Sequence, residues 1–258
     1  MKKVTLLCGL LLAISATVAS AAPGVNLRWQ ACWGDGGLPN RNSLCNSNLG
    51  NAGQLVGSFE LGAAGHPNTS GVEIVMDVAS AGAVLPAWWQ QNGLGQCRSV
   101  SMTMNGTISA LAVACFDWAS GAAAGGLAAY NIGTNGPNTA RAIGGFAVPA
   151  VSIANLPGGL ELFAFNAVIT LIRTTGAGSC AGCLTPACIV LNSLKVASPP
   201  VAGQPSTDVV LTGPTNGTDS NYATWQGGGG IVVGTRQGCP AAVPTHNTTW
   251  SSVKTLYR

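Results

Sequence analysis

The chain has 258 residues, of which 47% are apolar and 7% are charged. This balance excludes an intrinsically disordered chain, because disorder combines low hydrophobicity with high charge. Beyond Lys2 and Lys3, the basic residues are scattered singly along the sequence, so the clustered positive charge that binds nucleic acid is missing. We therefore expect a folded protein with no nucleic-acid partner.

The first 21 residues have the pattern of a secretory signal peptide. Lys2 and Lys3 precede an apolar run over residues 4–19, and small residues follow at Ala19-Ser20-Ala21. Removal of residues 1–21 leaves nine basic and eight acidic residues, a net charge of +1. We expect a protein that is secreted, periplasmic or held at the cell envelope, with no transmembrane segment after the signal is removed.

Alternation of apolar and polar residues predicts β-strands along the rest of the chain. The first predicted strand has Val25, Leu27 and Trp29 on one face and continues to Trp33. Residues 72–78 repeat the pattern, with Glu73 and Asp77 expected to face water. Residues 160–172 are apolar on both faces, which predicts the centre of a sheet. Further strands are predicted at 54–61, 97–104, 107–116, 126–132, 143–151, 188–196, 207–212 and 230–234.

These strands predict an all-β fold, an antiparallel β-sandwich of jelly-roll or cohesin-like type that is stapled by disulfides. The sandwich domain is placed at residues 22–198, followed by a Pro-rich linker at 199–206 and a smaller appendage at 207–258 that can dock on it. A short carboxyl-terminal helix is predicted around Trp250, Val253 and Tyr257, which are spaced i, i+3 and i+7.

Eight cysteines remain once Cys8 leaves with the signal peptide, and an even number in an exported chain indicates disulfides. Cys97 and Cys115 flank a hairpin signal at Asn105-Gly106, and a register shift of one residue pairs them across the two strands. A Cys32–Cys45 bridge is expected to close a turn. The remaining cysteines are expected to form two disulfides in one loop, with a link to the last of them left open: Cys180, Cys183, Cys188 and Cys239.

No catalytic or metal motif stands out in the sequence. Three clustered thiols fall short of the four ligands of a zinc site, so no metal is expected. His66 and His246 are expected at the surface. Pairs of carboxylates for glycoside hydrolysis could be drawn from the acidic residues of the domain, although such pairs also arise by chance. The acidic residues concerned are Glu60, Glu73, Asp77, Asp117 and Glu161.

Two segments suggest ligand binding. Trp88 and Trp89 follow Pro86 and could stack on sugar rings, with Trp33, Trp118 or Tyr130 as companions. The alternative is that one of the two indoles packs in the core and the other covers its rim. The second segment is oxygen-rich and suggests calcium, but it lacks the regular Asp ladder of a calcium loop, so a closed turn is preferred and no cofactor is expected. It contains Asp35, Asn40, Asn42, Asn46 and Asn48.

The order of the predicted strands over 25–196, with Leu85-Pro86-Ala87-Trp88-Trp89 after the strand 71–78, is similar to cohesin-type and carbohydrate-module β-sandwiches. The carboxyl end, Thr249–Arg258, and the segment Gly213–Asp219 resemble a group of secreted bacterial proteins. These resemblances imply export and a β-sandwich, but no activity.

The expected function is non-catalytic adhesion, display or scaffolding at the cell envelope. A carbohydrate-binding module that uses Trp88 or Trp89 is the first alternative, and a secreted hydrolase with dispersed acidic residues is the second. The partner is left open between a polysaccharide and a cell-envelope protein.

Overall fold

The computed structural model describes residues 22–93, 95–108, 115–203, 205–215, 219–232 and 239. The predicted signal peptide and the predicted carboxyl-terminal helix lie outside these residues. The regular secondary structure of the described residues is almost entirely β, apart from single-turn 3₁₀ helices at Ala87–Trp89 and Ala150–Ser152. The strands are, in chain order, β1 (Gly24–Trp29), β2 (Asn40–Arg41), β3 (Asn51–Glu60), β4 (His66–Thr69), β5 (Gly71–Ser80), β6 (Met102–Asn105), β7 (Phe116–Asp117), β8 (Ala124–Ile132), β9 (Thr139–Ala147), β10 (Ala154–Leu156), β11 (Glu161–Thr170), β12 (Ala187–Ala197), β13 (Val209–Leu211) and β14 (Tyr222–Trp225).

These strands form two main sheets that pack as a sandwich, which confirms the predicted fold class. The first sheet has the order β1-β3-β11-β6, and β7 also pairs with β11. The second has the order β2-β14-β12-β5-β9-β8, and β13 also pairs with β12. Pairing is antiparallel except where the two-residue strands β2 and β7 join their sheets. Strands β4 and β10 form a separate two-stranded ribbon.

The core between the sheets follows the alternation in the sequence. Val25, Leu27 and Trp29 of β1 are fully buried, as the pattern predicts. The strand ends at Trp29 rather than at Trp33, because Gln30 has a φ of 74° and turns the chain out of the sheet. Trp33, beyond this turn, is 37% exposed.

Strand β11 is central in the first sheet, as predicted from its two apolar faces. It pairs with β3 on one edge and with β6 and β7 on the other. Phe165 points into the core and its ring lies directly over Gly57 of β3, where a Cβ atom would overlap the ring. Phe163, on the opposite face, is covered by Val56 and a disulfide.

The second sheet is organised around β12, which pairs with β5 along its whole length. On the other edge of β12 lie β14 near its start and β13 near its end. Both strands come from the segment 207–258 that the sequence analysis places in an appendage, and both are hydrogen-bonded into the main sheet.

Some predicted strand positions differ from the structure, and one lies mostly outside the described residues. The strand predicted at 97–104 begins only at Met102, since the chain turns at Val100, which has a φ of 62°. Most of the strand predicted at 107–116 falls on 109–114, outside the described residues. Residues 230–232 of the strand predicted at 230–234 are not in a strand.

All eight cysteines of the predicted framework are paired, but two predicted pairings are wrong. Cys97 bonds to Cys180 and Cys115 to Cys32, so the Cys97–Cys115 bridge is not formed. Cys45 bonds to Cys183, so the predicted Cys32–Cys45 turn is also wrong. The cause is that Cys97 lies in the loop before β6, not in a hairpin strand opposite Cys115. The expectation of two disulfides within one loop is wrong too, because Cys180 and Cys183 bond to other loops. The last bridge joins Cys188 to Cys239, the link that the sequence left open.

The four disulfides indicate an oxidising environment. No helix among the described residues is both long enough and apolar enough to cross a membrane.

Candidate functional site

The two tryptophans proposed to bind sugar are buried. Trp88 and Trp89 are both fully inaccessible, because the segment after Pro86 forms a 3₁₀ turn instead of a strand and directs both rings inward. Trp88 stacks on Trp225 with ring centroids 5.2 Å apart, and its indole N–H donates to Thr174 Oγ1 over 3.1 Å. The structure therefore contradicts a sugar-stacking platform at Trp88 and Trp89, and also the alternative that one of them covers a rim.

The three aromatic residues proposed to accompany Trp88 and Trp89 differ in their exposure to solvent. Trp118 and Tyr130 are 4% and 8% exposed and belong to the core. The Tyr130 hydroxyl donates to the carbonyl oxygen of Trp89 over 2.7 Å. Trp33 alone of the three is exposed to solvent, outside the cluster formed by Trp88 and Trp89.

A buried arginine holds the tryptophan turn in place. Arg98 is fully buried, and its guanidinium lies 3.9 Å from the centroid of the Trp88 ring. It donates to the carbonyl oxygens of Trp88, Thr170 and Ile172. Burial lowers the pKa of Arg98 to about 10, so the group stays charged at neutral pH and is solvated by backbone carbonyls.

Two acidic residues of β5 differ in environment, although both were predicted to face water. Glu73 does so and forms a 2.7 Å ion pair with Lys195. The Asp77 side chain is fully buried, and both its oxygens accept hydrogen bonds from Arg141, its register partner on β9, at 2.7 and 2.8 Å. The prediction for Asp77 is wrong because a buried carboxylate is tolerated where a bidentate arginine lies directly across the ladder.

Glu60 and Glu161 are the acidic pair that the fold brings together. They are register partners on β3 and β11 and therefore share one face of the first sheet. Glu161 accepts hydrogen bonds from Ser58 Oγ, from the Asn26 amide and from two backbone N–H groups of the loop that begins at Trp33. Because these donors anchor a loop, and the two acids lie side by side on one sheet and do not face each other across a cleft, we interpret Glu161 as structural.

The remaining acidic and histidine residues also hold backbone in place. Asp117 accepts from the N–H groups of Ala119 and Gly121 and so shapes the turn after β7. His66 was predicted at the surface but is 2% exposed. Its ring nitrogens lie 2.8 Å from Thr69 Oγ1 and 3.0 Å from the carbonyl oxygen of Thr207. His246 lies outside the described residues.

The asparagine-rich segment, in which the sequence suggested a calcium site, connects neighbouring loops through hydrogen bonds. Asn48 Oδ1 accepts from the N–H groups of Thr174 and Thr175, both at 2.8 Å. Asn40 Oδ1 accepts from Thr224 Oγ1 and from the Gly227 N–H. The Asp35 carboxylate accepts from the Cys115 N–H and lies near Cys32 and Cys115, whose sulfurs are already joined in a disulfide.

The loops that contact Asn40 and Asn48 lie at one end of the sandwich, which we call the loop end. The strand ends Asn51 and Thr170 are paired, as are Ser80 and Ala187, so the connections next to them emerge on the same side. The loop end is formed by the loops 42–50, 81–101, 133–138, 171–186 and 226–232.

Disulfides and hydrogen bonds make the loop end rigid. Cys45–Cys183 and Cys97–Cys180 connect the loops 42–50 and 81–101 to the loop 171–186. The Trp225 indole donates to the Cys183 carbonyl over 2.6 Å, and Trp88 N–H donates to the Ala181 carbonyl over 2.9 Å. The buried residues Trp88 and Trp225 therefore contact the loop 171–186 from the core side.

The outside of the loop end is apolar and nearly uncharged. Leu44 and Leu184 are 82% and 64% exposed, and they adjoin Cys45 and Cys183, whose Cα atoms are 6.0 Å apart. Leu49 on the same loop as Leu44 is 83% exposed. Further exposed aliphatic residues of the loop end are Val84, Val100, Ile172 and Val232.

In the part of the loop end that the structure describes, charge is confined to two arginines. Its five loops contain no Asp or Glu, and their only basic residues are Arg98, which is buried, and Arg173, which is exposed. A shallow depression of about 520 Å³ at the loop end is lined by the loop Ser179–Pro186 together with Cys45 and Thr174. A group of exposed aliphatic side chains on disulfide-tied loops at one end of a fold is a candidate interaction site.

This surface could not be recognised from the sequence. Its leucines are isolated in Asn-, Ser- and Gly-rich loops, where single apolar residues carry no periodic signal. The absence of acidic residues from all five loops was visible in the sequence, but only the fold shows that these loops meet. No protein family, curated protein or solved structure matches the chain.

Proposed function

We propose that the protein is a secreted, non-catalytic adhesion module that contacts its target through the loop end. The observation that carries the proposal is a group of solvent-exposed leucines, Leu44, Leu49 and Leu184. They lie on loops that two disulfides and many hydrogen bonds fix in place. Fixed loops lose little conformational freedom on binding, so apolar contact at this end converts efficiently into affinity.

The environment of the other chemical groups supports a non-catalytic function. Among the described residues, Asp77, Glu161, Asp117 and His66 each hold another part of the fold through side-chain hydrogen bonds. A carbohydrate-binding function would need exposed rings, and Trp88 and Trp89 are in the core. Export through the signal peptide at residues 1–21 agrees with disulfides that form in an oxidising compartment.

The proposal is tested by retention of the oxidised mature chain on coated surfaces. The coatings are an alkane-terminated layer, a polysaccharide and a neutral hydrophilic polymer. We expect retention on the alkane layer and loss of about tenfold or more in the Leu44→Ser/Leu184→Ser variant, because each buried leucine contributes about 1.5–3 kcal/mol.

A matched control variant changes exposed aliphatic residues away from the loop end. Val151 and Val210 are 94% and 60% exposed, and we expect Val151→Ser/Val210→Ser to be retained like the parent. Equal retention of both double variants would contradict the proposal, as would preferential retention of the parent on the polysaccharide.

A further inference from the structure

The chemistry of the loop end also indicates which kind of target it fits. We infer that the target is the headgroup region of an anionic lipid bilayer, with the leucines inserted beneath the headgroups and Arg173 among the phosphates. This inference rests on the proposed function, since it names the target of the same surface.

The exposed side chains favour lipid over sugar. Sugar rings are bound by stacking on flat aromatic faces. In the described part of the loop end the exposed large apolar residues are all Leu, Val or Ile, while its tryptophans, Trp88 and Trp89, are fully buried. Aliphatic groups have no face for a sugar but are as apolar as lipid chains.

The same side chains favour lipid over a protein partner. The energetic centres of protein interfaces are enriched in Trp, Tyr, Met and Arg, which fill pockets on the partner. At the loop end the exposed apolar groups are instead single aliphatic residues on separate loops. Leu44 and Leu49 are separated by a polar stretch, Asn46-Ser47-Asn48, which suits the headgroup level while the leucines reach deeper.

The charge of the loop end suits an anionic membrane. Its five loops lack Asp and Glu, so nothing in them repels phosphate. Arg173 is exposed beside the half-exposed Ile172, and its guanidinium is steadied by donation to the Cys97 carbonyl over 2.9 Å. An arginine next to apolar residues at a surface is the arrangement that places a cation at headgroup level.

The test is co-flotation of the oxidised mature chain with vesicles of phosphatidylcholine alone or mixed with phosphatidylglycerol. We expect the parent to float with the mixed vesicles. Leu44→Asp/Leu184→Asp should lower the partition coefficient about a hundredfold, because two apolar contacts are replaced by charges that anionic lipid repels. Arg173→Gln should lower it about fivefold on mixed vesicles and leave it unchanged on phosphatidylcholine.

Val151→Asp/Val210→Asp is the matched control and should float like the parent. Thermal melting identifies any variant that is unfolded. Because Leu44 and Leu184 are exposed, we expect the Leu44→Asp/Leu184→Asp variant to melt like the parent. Failure of the folded parent to float with either vesicle overturns the lipid target. If the same preparation is still retained on the alkane layer through Leu44 and Leu184, the proposed adhesion function stands; flotation that does not depend on these leucines overturns the assignment of the surface.

Discussion

Glu60 and Glu161 lie directly opposite each other on β3 and β11, yet their two carboxyl groups have different environments. Glu161 receives hydrogen bonds from Asn26, Ser58 and the backbone of the loop at Trp33. Glu60 is 6% exposed, and burial together with the charge of Glu161 raises its pKa. One sheet face thus contains a carboxyl group that anchors a loop beside one that is costly to ionise.

The first prediction is that Glu60→Gln stabilises the protein at neutral pH. Because the pKa of Glu60 is raised in the folded state, the folded protein holds a proton that the unfolded chain releases, and stability falls as pH rises from the ordinary glutamate pKa of about 4.3 through the raised value. The isosteric amide removes this loss. We expect a higher melting temperature than the parent at pH 7 and no difference at pH 4; a lower melting temperature at pH 7 would refute the argument.

The second prediction is that Glu161→Gln, unlike Glu60→Gln, destabilises the protein. Glu161→Gln replaces an acceptor by an amide whose NH₂ group faces donors, so we expect a loss of about 1.5–3 kcal/mol. Chemical denaturation at pH 7 measures the free energy of unfolding. Since both substitutions remove one negative charge from the same sheet face, equal effects of the two would show that net charge, and not local hydrogen bonding, controls stability there.

The third prediction concerns the buried ion pair of the second sheet. Arg141→Met removes both donors that Asp77 receives from β9 and leaves a fully buried carboxylate with the Asn135 amide. Breaking a buried pair on one side costs about 3–5 kcal/mol. The double variant Asp77→Leu/Arg141→Met removes the charge as well and should recover much of the loss, as measured by urea denaturation. A double variant less stable than Arg141→Met would contradict this account.

The fourth prediction is that lysine does not replace Arg98. The guanidinium donates to three carbonyl oxygens and lies 3.9 Å from the centroid of the Trp88 ring, and an ammonium group cannot do both. We expect Arg98→Lys to cost about 2–3 kcal/mol and to change the tryptophan fluorescence, whereas Arg173→Lys at the surface should change neither. Unaltered stability of Arg98→Lys would show that the three carbonyls do not depend on the guanidinium.

The fold was predictable from the sequence where each strand has one periodic face. The alternation at Val25, Leu27 and Trp29 identifies β1, and the doubly apolar run identifies β11 as a central strand. The end of β1 was not predictable, because a left-handed φ at Gln30 is adopted by a residue with no special preference for it. Short strands such as β4 and β14 carry too few residues to show a period.

Contacts between segments that are far apart in the sequence could not be predicted. Cys97 and Cys115 fit a hairpin pairing locally, but their partners, Cys180 and Cys32, are each 83 residues away and are selected by sheet packing. Adjacent tryptophans predict opposite faces only on a strand, and the 3₁₀ turn at Ala87–Trp89 directs both inward. For the same reason the loop end could be recognised only after the fold placed its loops side by side.

The fifth prediction is that the Cys45–Cys183 disulfide supports binding beyond its effect on stability. Cys45→Ser/Cys183→Ser frees the two loops that carry Leu44 and Leu184, while Cys32→Ser/Cys115→Ser opens a bridge away from the loop end. The bridges span 138 and 83 residues, so the chain-entropy contributions differ by only about 0.5 kcal/mol. Each variant should lose about 2–5 kcal/mol of stability.

Retention on the alkane layer separates the two disulfide variants. At a temperature where both are folded, the Cys45→Ser/Cys183→Ser variant should be retained at least about fivefold less than the parent, because ordering a mobile loop on binding costs about 1 kcal/mol or more. The Cys32→Ser/Cys115→Ser variant should be retained like the parent, since Leu44 and Leu184 keep their support. Equal loss in both would mean that retention follows global stability and that the bridge at the loop end has no separate part in binding.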